Sequence, residues 1–239
     1  MKYLYLSVIT LLLVSCGNKR ILQLPEIENA PITEIHDVSH AYLFYDETKE
    51  DSVELNRKNI ISTTNWLVNV DKRLTLAQAI PKIKFLQDKK RNAKMHKNES
   101  AKNYYTCNDT SIQNLGFLEF TDVVYSIDRN KKPIEENSKP FNENDFEPVT
   151  NFSIGPDIFQ EVILYFESKN EVFGPPTVLR TDQIKKYFET LLNVGIAIKL
   201  EVSLVFNENL SFQEYITFKS IISELKSDII SINNNEFIY

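Results

Sequence analysis

Glycine is scarce in this chain, five in 239 residues, and no Gly-x-Gly-x-x-Gly, Walker-type loop or Gly-x-Ser-x-Gly elbow is present. That removes the usual backbone cradle for a nucleotide phosphate and the usual turn of a serine hydrolase. Cysteine is scarcer still, with two residues, which leaves no two-cysteine knuckle for zinc and no disulfide framework. A basic excess is also missing: 27 Lys and Arg stand against 33 Asp and Glu, a net charge of -6. Affinity for a polyanion comes from basic side chains that displace counterions, so nucleic acid is not the expected partner. No apolar run reaches the roughly 20 residues that a membrane-spanning helix needs. What the chain does have is apolar bulk, 42% hydrophobic residues with 15 Phe and 11 Tyr, enough to fold around a core.

Met1 and Lys2 lead into an apolar run from Tyr3 to Val14, 12 residues interrupted only by Ser7 and Thr10. Its length and its basic start suit the core of a secretory signal peptide. It stops at Leu13-Val14-Ser15-Cys16-Gly17, which resembles the lipobox of bacterial lipoproteins. The resemblance implies that residues 1–15 are removed and that Cys16 becomes an acylated N-terminus, carrying palmitate-type chains. Each buried methylene contributes about 0.8 kcal/mol, so two or three chains on one residue make a firm membrane anchor. The implied location is the cell envelope, lipid-anchored with the chain facing the periplasm. The Asn- and Lys-rich, Gly-poor composition is similar to Bacteroidetes-type lipoproteins, and Asn18, Lys19 and Arg20 bring no acidic cluster after the cysteine. With Cys16 acylated, Cys107 has no partner for an intramolecular disulfide; a buried structural thiol is the ordinary reading of such a residue.

Residues 16–40 read as a tether, with Pro25 and Pro31 and no sustained periodicity. A second break at 129–151 is polar and punctuated by Pro133, Pro140 and Pro148, and reads as a linker between domains at 41–128 and 152–239. In the second half, Glu161 to Glu167 and Thr177 to Leu179 read as strands. Thr181 caps a helix through Ile184, Tyr187, Phe188, Leu191 and Leu192, which Gly195 ends. From Ile196 to Phe206 the period switches to two, with Ile196, Ile198, Leu200, Val202, Leu204 and Phe206 in step; Lys199, Glu201 and Ser203 are assigned to a wet face. Ser211 opens another helix with Phe212, Tyr215, Phe218, Ile222 and Leu225 on one stripe, and Ile229 to Ile232 and Phe237 to Tyr239 close the chain. The first half is less regular: strands at Ala41 to Tyr45 and Trp66 to Asp71, a capping box Thr75/Gln78 opening a helix through Ile80, Ile83 and Leu86, then apolar stretches at Tyr104 to Thr106 and Leu118 to Tyr125. The fold class is α+β: two small two-layer domains, each a helix-backed mixed sheet, the second in the order β-β-α-β-α-β. A strand–helix–strand order recurs in both halves at low residue identity, which leaves internal duplication open.

The junction from Leu204 to Tyr215 carries a family resemblance. In the ExbD/TolR family of biopolymer transporters a strand ends in an Asp, a hydrophobic residue follows three positions on, and an aromatic opens the last helix; Asn207, Leu210 and Phe212 stand at those positions here. The ending Asn235-Glu236-Phe237-Ile238-Tyr239 is similar to the final strand of Bacteroidetes members. The match covers about residues 158–239 and, for a domain of this kind, implies a non-catalytic component of an envelope transport or energy-transducing assembly. It implies partners of the ExbB or TonB type or peptidoglycan, and a homodimer formed through the last strand. Family members also carry a transmembrane helix with a proton-conducting Asp; here the apolar segment Tyr3 to Val14 holds no acid. An exposed sheet edge would pair with an extended partner peptide, and the resemblance places that edge at Phe237, Ile238 and Tyr239.

Other constellations are weaker. His36 and His40 stand four apart, a metal-ligand spacing on a helix, but a solvated loop is the ordinary reading. His96 lies in a basic stretch that runs from Lys82 to Lys102 with eight Lys and Arg against Asp88 and Glu99. Such a stretch suits anionic lipid or wall polymer, or simply a solvated helix face. No motif implies a catalytic residue, a metal or a cofactor. The competing expectation is a lipid-anchored enzyme or ligand-binding protein with its site in the first half, marked by a deep pocket between Tyr42 and Tyr125.

Overall fold

The computed structural model describes residues 21–92, 98–128, 138–146, 159–168, 171–174, 177–193 and 199–239. Cys16 and the leader, His96, Ile196 to Ile198, the Gly195 cap and most of the 129–151 linker lie outside the described residues.

The first sheet is built from β1 (Glu26–Ile27), β2 (Val38–Tyr45), β3 (Val53–Asn56), β4 (Asn65–Val70), β5 (Asn103–Asp109) and β6 (Asn114–Glu119), with helix α1 (Leu76–Arg91) between β4 and β5. β2, β4 and β5 are parallel, and β3 returns antiparallel beside β2. β6 runs antiparallel along β5, while β1 pairs with Asn108 and Asp109, beyond the stretch of β5 that faces β4. The second sheet has the order β7-β13-β12-β9-β10-β11-β8. Its strands are β7 (Val124–Ile127), β8 (Lys139–Pro140), β9 (Phe159–Ser168), β10 (Glu171–Gly174), β11 (Thr177–Leu179), β12 (Lys199–Phe206) and β13 (Ile230–Ile238). Helix α2 (Ile184–Asn193) precedes β12, and α3 (Phe212–Leu225) joins β12 to β13.

The α+β class stands as the sequence implies, and the recurring order becomes a shared topology. β3-β2-β4-β5 with α1 after β4 matches β10-β9-β12-β13 with α3 after β12, strand directions included. The two strand-to-helix junctions also match residue by residue: Asp71, Leu74, Thr75, Leu76 and Gln78 in one, Asn207, Leu210, Ser211, Phe212 and Glu214 in the other. Both helices open with a complete capping box, Thr75 with Gln78 and Ser211 with Glu214, an arrangement worth about 1 kcal/mol per cap.

These junctions pair with each other. Thr75 and Ser211 form an antiparallel bridge. Leu76 N donates to Leu210 O at 2.9 Å, and Phe212 N to Leu74 O at 2.7 Å. Ala77 N donates to Glu208 O at 2.9 Å, and Gln213 N to Lys72 O at 3.2 Å. The first N–H groups of a helix have no partner within it, so each half satisfies donors that the other half's helix leaves over. The arrangement is a local pseudo-twofold, and α1 and α3 meet across it.

One hydrophobic cluster runs through both halves, from Leu43, Trp66, Leu74 and Ile83 to Leu204, Phe206, Phe212 and Phe218. Tyr105 stacks on Phe120 with centroids 3.9 Å apart and meets the edges of Phe212 at 5.2 Å and Tyr215 at 6.1 Å, geometries that add to area burial. The halves are not separable at the 129–151 boundary, since β7 from the first half lies in the second sheet and β8 from the linker pairs with β11. The apolar stretch Leu118 to Tyr125 is therefore two strands in two sheets, split by a turn.

Much of the tether region is part of the fold. Asn108 N donates to Pro25 O and Phe117 N to Ile32 O, both at 2.8 Å, and Ala30 N donates to the Asp109 carboxylate at 2.7 Å. Ile32 and Ile35 cover Leu67, Tyr104 and Phe117 on the outer face of the first sheet. Gly116 is required here, because a Cβ at that position would come within 2.3 Å of the Ala30 side chain. Of the positions assigned above to a wet face, Lys199 is exposed and Glu201 half-buried, but Ser203 is buried and donates to Glu161 at 2.6 Å; from Val202 to Phe206 both faces of β12 are buried.

Candidate functional site

The expected partner edge at Phe237, Ile238 and Tyr239 is closed. Phe237 lies between Val205 of β12 and Ser126 of β7, and Ile238 between Phe206 and Ile127. Asp128 N donates to Ile238 O at 2.8 Å and Tyr239 N to Phe206 O at 3.0 Å, while the Tyr239 hydroxyl donates to Glu167. β13 is an interior strand because the β6–β7 segment runs beside β5 and then beside β13, covering the last strand of both halves. The outer strand of the second sheet on that side is β7, with Val124 and Ile127 exposed.

The histidine pair does not form a metal site. His36 is exposed, and His40 lies in β2, stacked on Tyr42 with its Nδ1 3.4 Å from Asn69 Nδ2. His36 stands before β2, across the left-handed Asp37 (φ 52°), so the helical four-residue spacing that would pair the two rings is absent. No group of three metal-ligating side chains occurs among the described residues. Among the described residues of the basic stretch, Lys82 pairs with Asp51 at 2.8 Å and Lys102 with Glu119 at 2.8 Å, and Arg91 donates to Val123 O at 2.9 Å. Lys90 is buried over the Trp66 ring, donating to Lys102 O at 3.0 Å and Asn103 Oδ1 at 2.9 Å; burial pulls its pKa down to about 8. Cys107 is fully buried, and burial pushes its thiol up to about 12. A thiol reagent should leave the native protein unmodified at this position and label it once in denaturant; rapid native labelling would show that β5 opens.

The concentrated polar chemistry lies at the seam between the halves. Glu236 of β13 is completely buried and accepts from Lys219 of α3 at one oxygen and from Tyr215 at the other, the latter at 2.7 Å. Tyr215 meets Tyr125 of β7 at 3.0 Å, and Tyr125 meets Tyr105 of β5 at 2.5 Å. An ionised carboxylate only accepts, so the Tyr215 proton is committed to Glu236 and the donors run from Tyr105 to Tyr125 to Tyr215 to Glu236. Burial first, and the Glu236 charge as well, push the three phenols well above their ordinary range, which holds the protons in the chain. The two sheets are thus joined by four hydrogen-bonding side chains and one lysine, in surroundings of low polarity that strengthen each link.

A cavity of about 170 Å³ opens beside this network. Tyr105, Leu118 and Val123 line it from the first half, and Lys219, Ile222 and Glu236 from the second. Pairing shifts register at its rim: Val202 faces Ile232 and Leu204 faces Glu236, so Asn233, Asn234 and Asn235 of β13 stand opposite Ser203 alone. Such bulges turn side chains out of the ladder. The tyrosines and Glu236 were not singled out as a group by the sequence reading. The available signal was alternation, since Glu236 shares its strand face with Ile238 and is therefore an acid placed on a buried side.

No family model, curated protein or solved structure matches the chain. The functional reading therefore rests on the residues and their geometry. No helix among the described residues is long and apolar enough to cross a membrane.

Proposed function

We propose that this chain is a lipid-anchored envelope protein, held at the periplasmic face through Cys16, that works by association with an envelope transport or energy-transducing assembly rather than by catalysis. The observation that carries the reading is the duplicated strand-to-helix junction. The positions that resemble the ExbD/TolR pattern, Asn207, Leu210 and Phe212, recur as Asp71, Leu74 and Leu76, and the first copy supplies the Asp that the second lacks. Two such units paired in one chain form a built-in pseudo-dimer, which removes the need for a second copy at that contact. The side chains with most acid–base potential, Glu236, Lys219 and the three tyrosines, hold one another.

Within this reading the partner segment adds at β7. A parallel or antiparallel peptide there would use main-chain groups for affinity and the exposed Val124 and Ile127 for side-chain contact. Its chemistry is an extended, partly apolar segment of an ExbB- or TonB-type protein. Backbone pairing with the fold is in place at Gln23, whose carbonyl accepts from Lys72 N at 2.8 Å, seven positions after Cys16, so the anchor would hold the protein close to the bilayer.

The anchor is tested first. Full-length protein expressed in its own type of envelope should incorporate radiolabelled palmitate and sediment with membranes. Cys16→Ser should do neither. Sedimentation and labelling that persist in Cys16→Ser would remove the lipid anchor from the account.

A further inference from the structure

The cavity at the seam presents three kinds of surface. Leu118, Val123, Ile222 and Ile232 give it apolar walls. Lys219, Ser223 and Lys226 face it from one stripe at the end of α3, spaced by four and then three positions. The β13 bulge adds the side-chain amides of Asn233 and Asn234. In the bulge, Asn233 Oδ1 accepts from Asn235 N at 2.9 Å and Asn235 Nδ2 at 3.0 Å. The acceptor end of Asn233 is therefore occupied, and its NH₂ donors remain for another group.

The charges around the cavity do not cancel. Glu236 is neutralised by Lys219 and bonded by Tyr215, and Glu119 is neutralised by Lys102 at 2.8 Å. Lys226, in the C-cap position of α3, has no ion-pair partner among the described residues. One cation and amide donors thus stand above an apolar recess. The volume, about 170 Å³, is close to that of a cavity known to admit benzene.

We propose that this recess is a binding site for a small monocarboxylate with a branched or aromatic hydrocarbon tail, about six to nine non-hydrogen atoms in all. The carboxylate meets Lys226 and the bulge amides, and the tail rests on Ile222 and Ile232 from one half and Leu118 and Val123 from the other. A primary amine of the same shape is repelled by Lys226, the one cation left without a counter-charge among the described residues lining the cavity. An isosteric amide keeps the tail contacts but loses the charge-assisted bonds. The ligand touches both sheets, so its binding stabilises their union by mass action. The proposal does not depend on the envelope role.

The test is calorimetric titration of the full chain in detergent with isocaproate, isocaproamide and isoamylamine. Isocaproate should bind saturably at one site, the amide about tenfold or more weaker, and the amine not measurably. Lys226→Gln, an exposed position, should weaken isocaproate about tenfold while the melting temperature of the free protein stays unchanged. Asn234→Ala should reduce affinity in the same direction. No saturable isocaproate binding, equal affinity for acid and amide, or unaltered affinity in Lys226→Gln would each overturn the proposal.

Discussion

Glu236→Ala should destabilise the protein by about 3–5 kcal/mol, a large share of the stability of an ordinary domain. The substitution leaves Lys219 with no carboxylate at a site where its side chain is only 17% exposed, and it removes the acceptor for Tyr215. The loss thus combines an uncompensated charge with a broken hydrogen-bond chain, the two circumstances that make single polar deletions severe. Replacing both members of the pair, Lys219→Met with Glu236→Leu, should recover most of that loss, because the desolvation of two charges largely offsets their attraction. Urea unfolding of the wild type, Lys219→Met, Glu236→Leu and the double variant closes the cycle and gives the coupling directly. A Glu236→Ala effect below about 1 kcal/mol would mean that the carboxylate is solvated and that the seam is held by apolar contacts alone.

Phe212→Ala should cost about 3–5 kcal/mol and should do so in both halves at once. Phe212 is fully buried, and it makes an edge-to-face contact with Tyr105 from the other half. Its backbone N–H also donates across the seam to Leu74 O. Trp66, the single tryptophan, is 2% exposed and sits in the first sheet, so its fluorescence reports the half that does not contain the substitution. With one shared core, the fluorescence transition should move with the far-UV circular dichroism transition and by the same amount. An unshifted Trp66 transition would show that the halves fold separately.

Local features of the fold were legible where a period ran unbroken. The stripe Phe212, Tyr215, Phe218, Ile222 and Leu225 and the alternation of Leu200, Val202, Leu204 and Phe206 are both buried as their spacing implies. The capping pair Thr75/Gln78 was readable because both partners lie within four residues, while the structure adds Glu214 as the partner of Ser211. β3 and β10 were not, because four-residue strands show too few alternations to stand out. Non-local pairing was the larger gap. Nothing in Val124 to Ile127 says that it leaves its neighbour β6 and joins β13 more than a hundred residues on, yet that placement closes the edge expected at Phe237 to Tyr239. Residues 21–37 looked like a tether because their contacts are backbone bonds to β5 and β6 and a few isoleucines, which leave no periodic trace.

The candidate site was hidden by the same kind of distance. Glu236 follows three asparagines in sequence and reads as part of a polar surface run. Its partners Lys219 and Tyr215 lie on a helix, and Tyr125 and Tyr105 come from the other half. Only the pairing of β13 with β12 and β7 assembles them.

The most direct test of the associative role is crosslinking of the full, lipidated chain at native levels, followed by capture from solubilised envelopes. The account predicts recovery of an ExbB- or TonB-type protein, lost in the edge variant Val124→Lys/Ile127→Lys while membrane attachment through Cys16 persists. Capture of no such component above the level seen with Cys16→Ser, or capture unaffected by the two lysines, would contradict it.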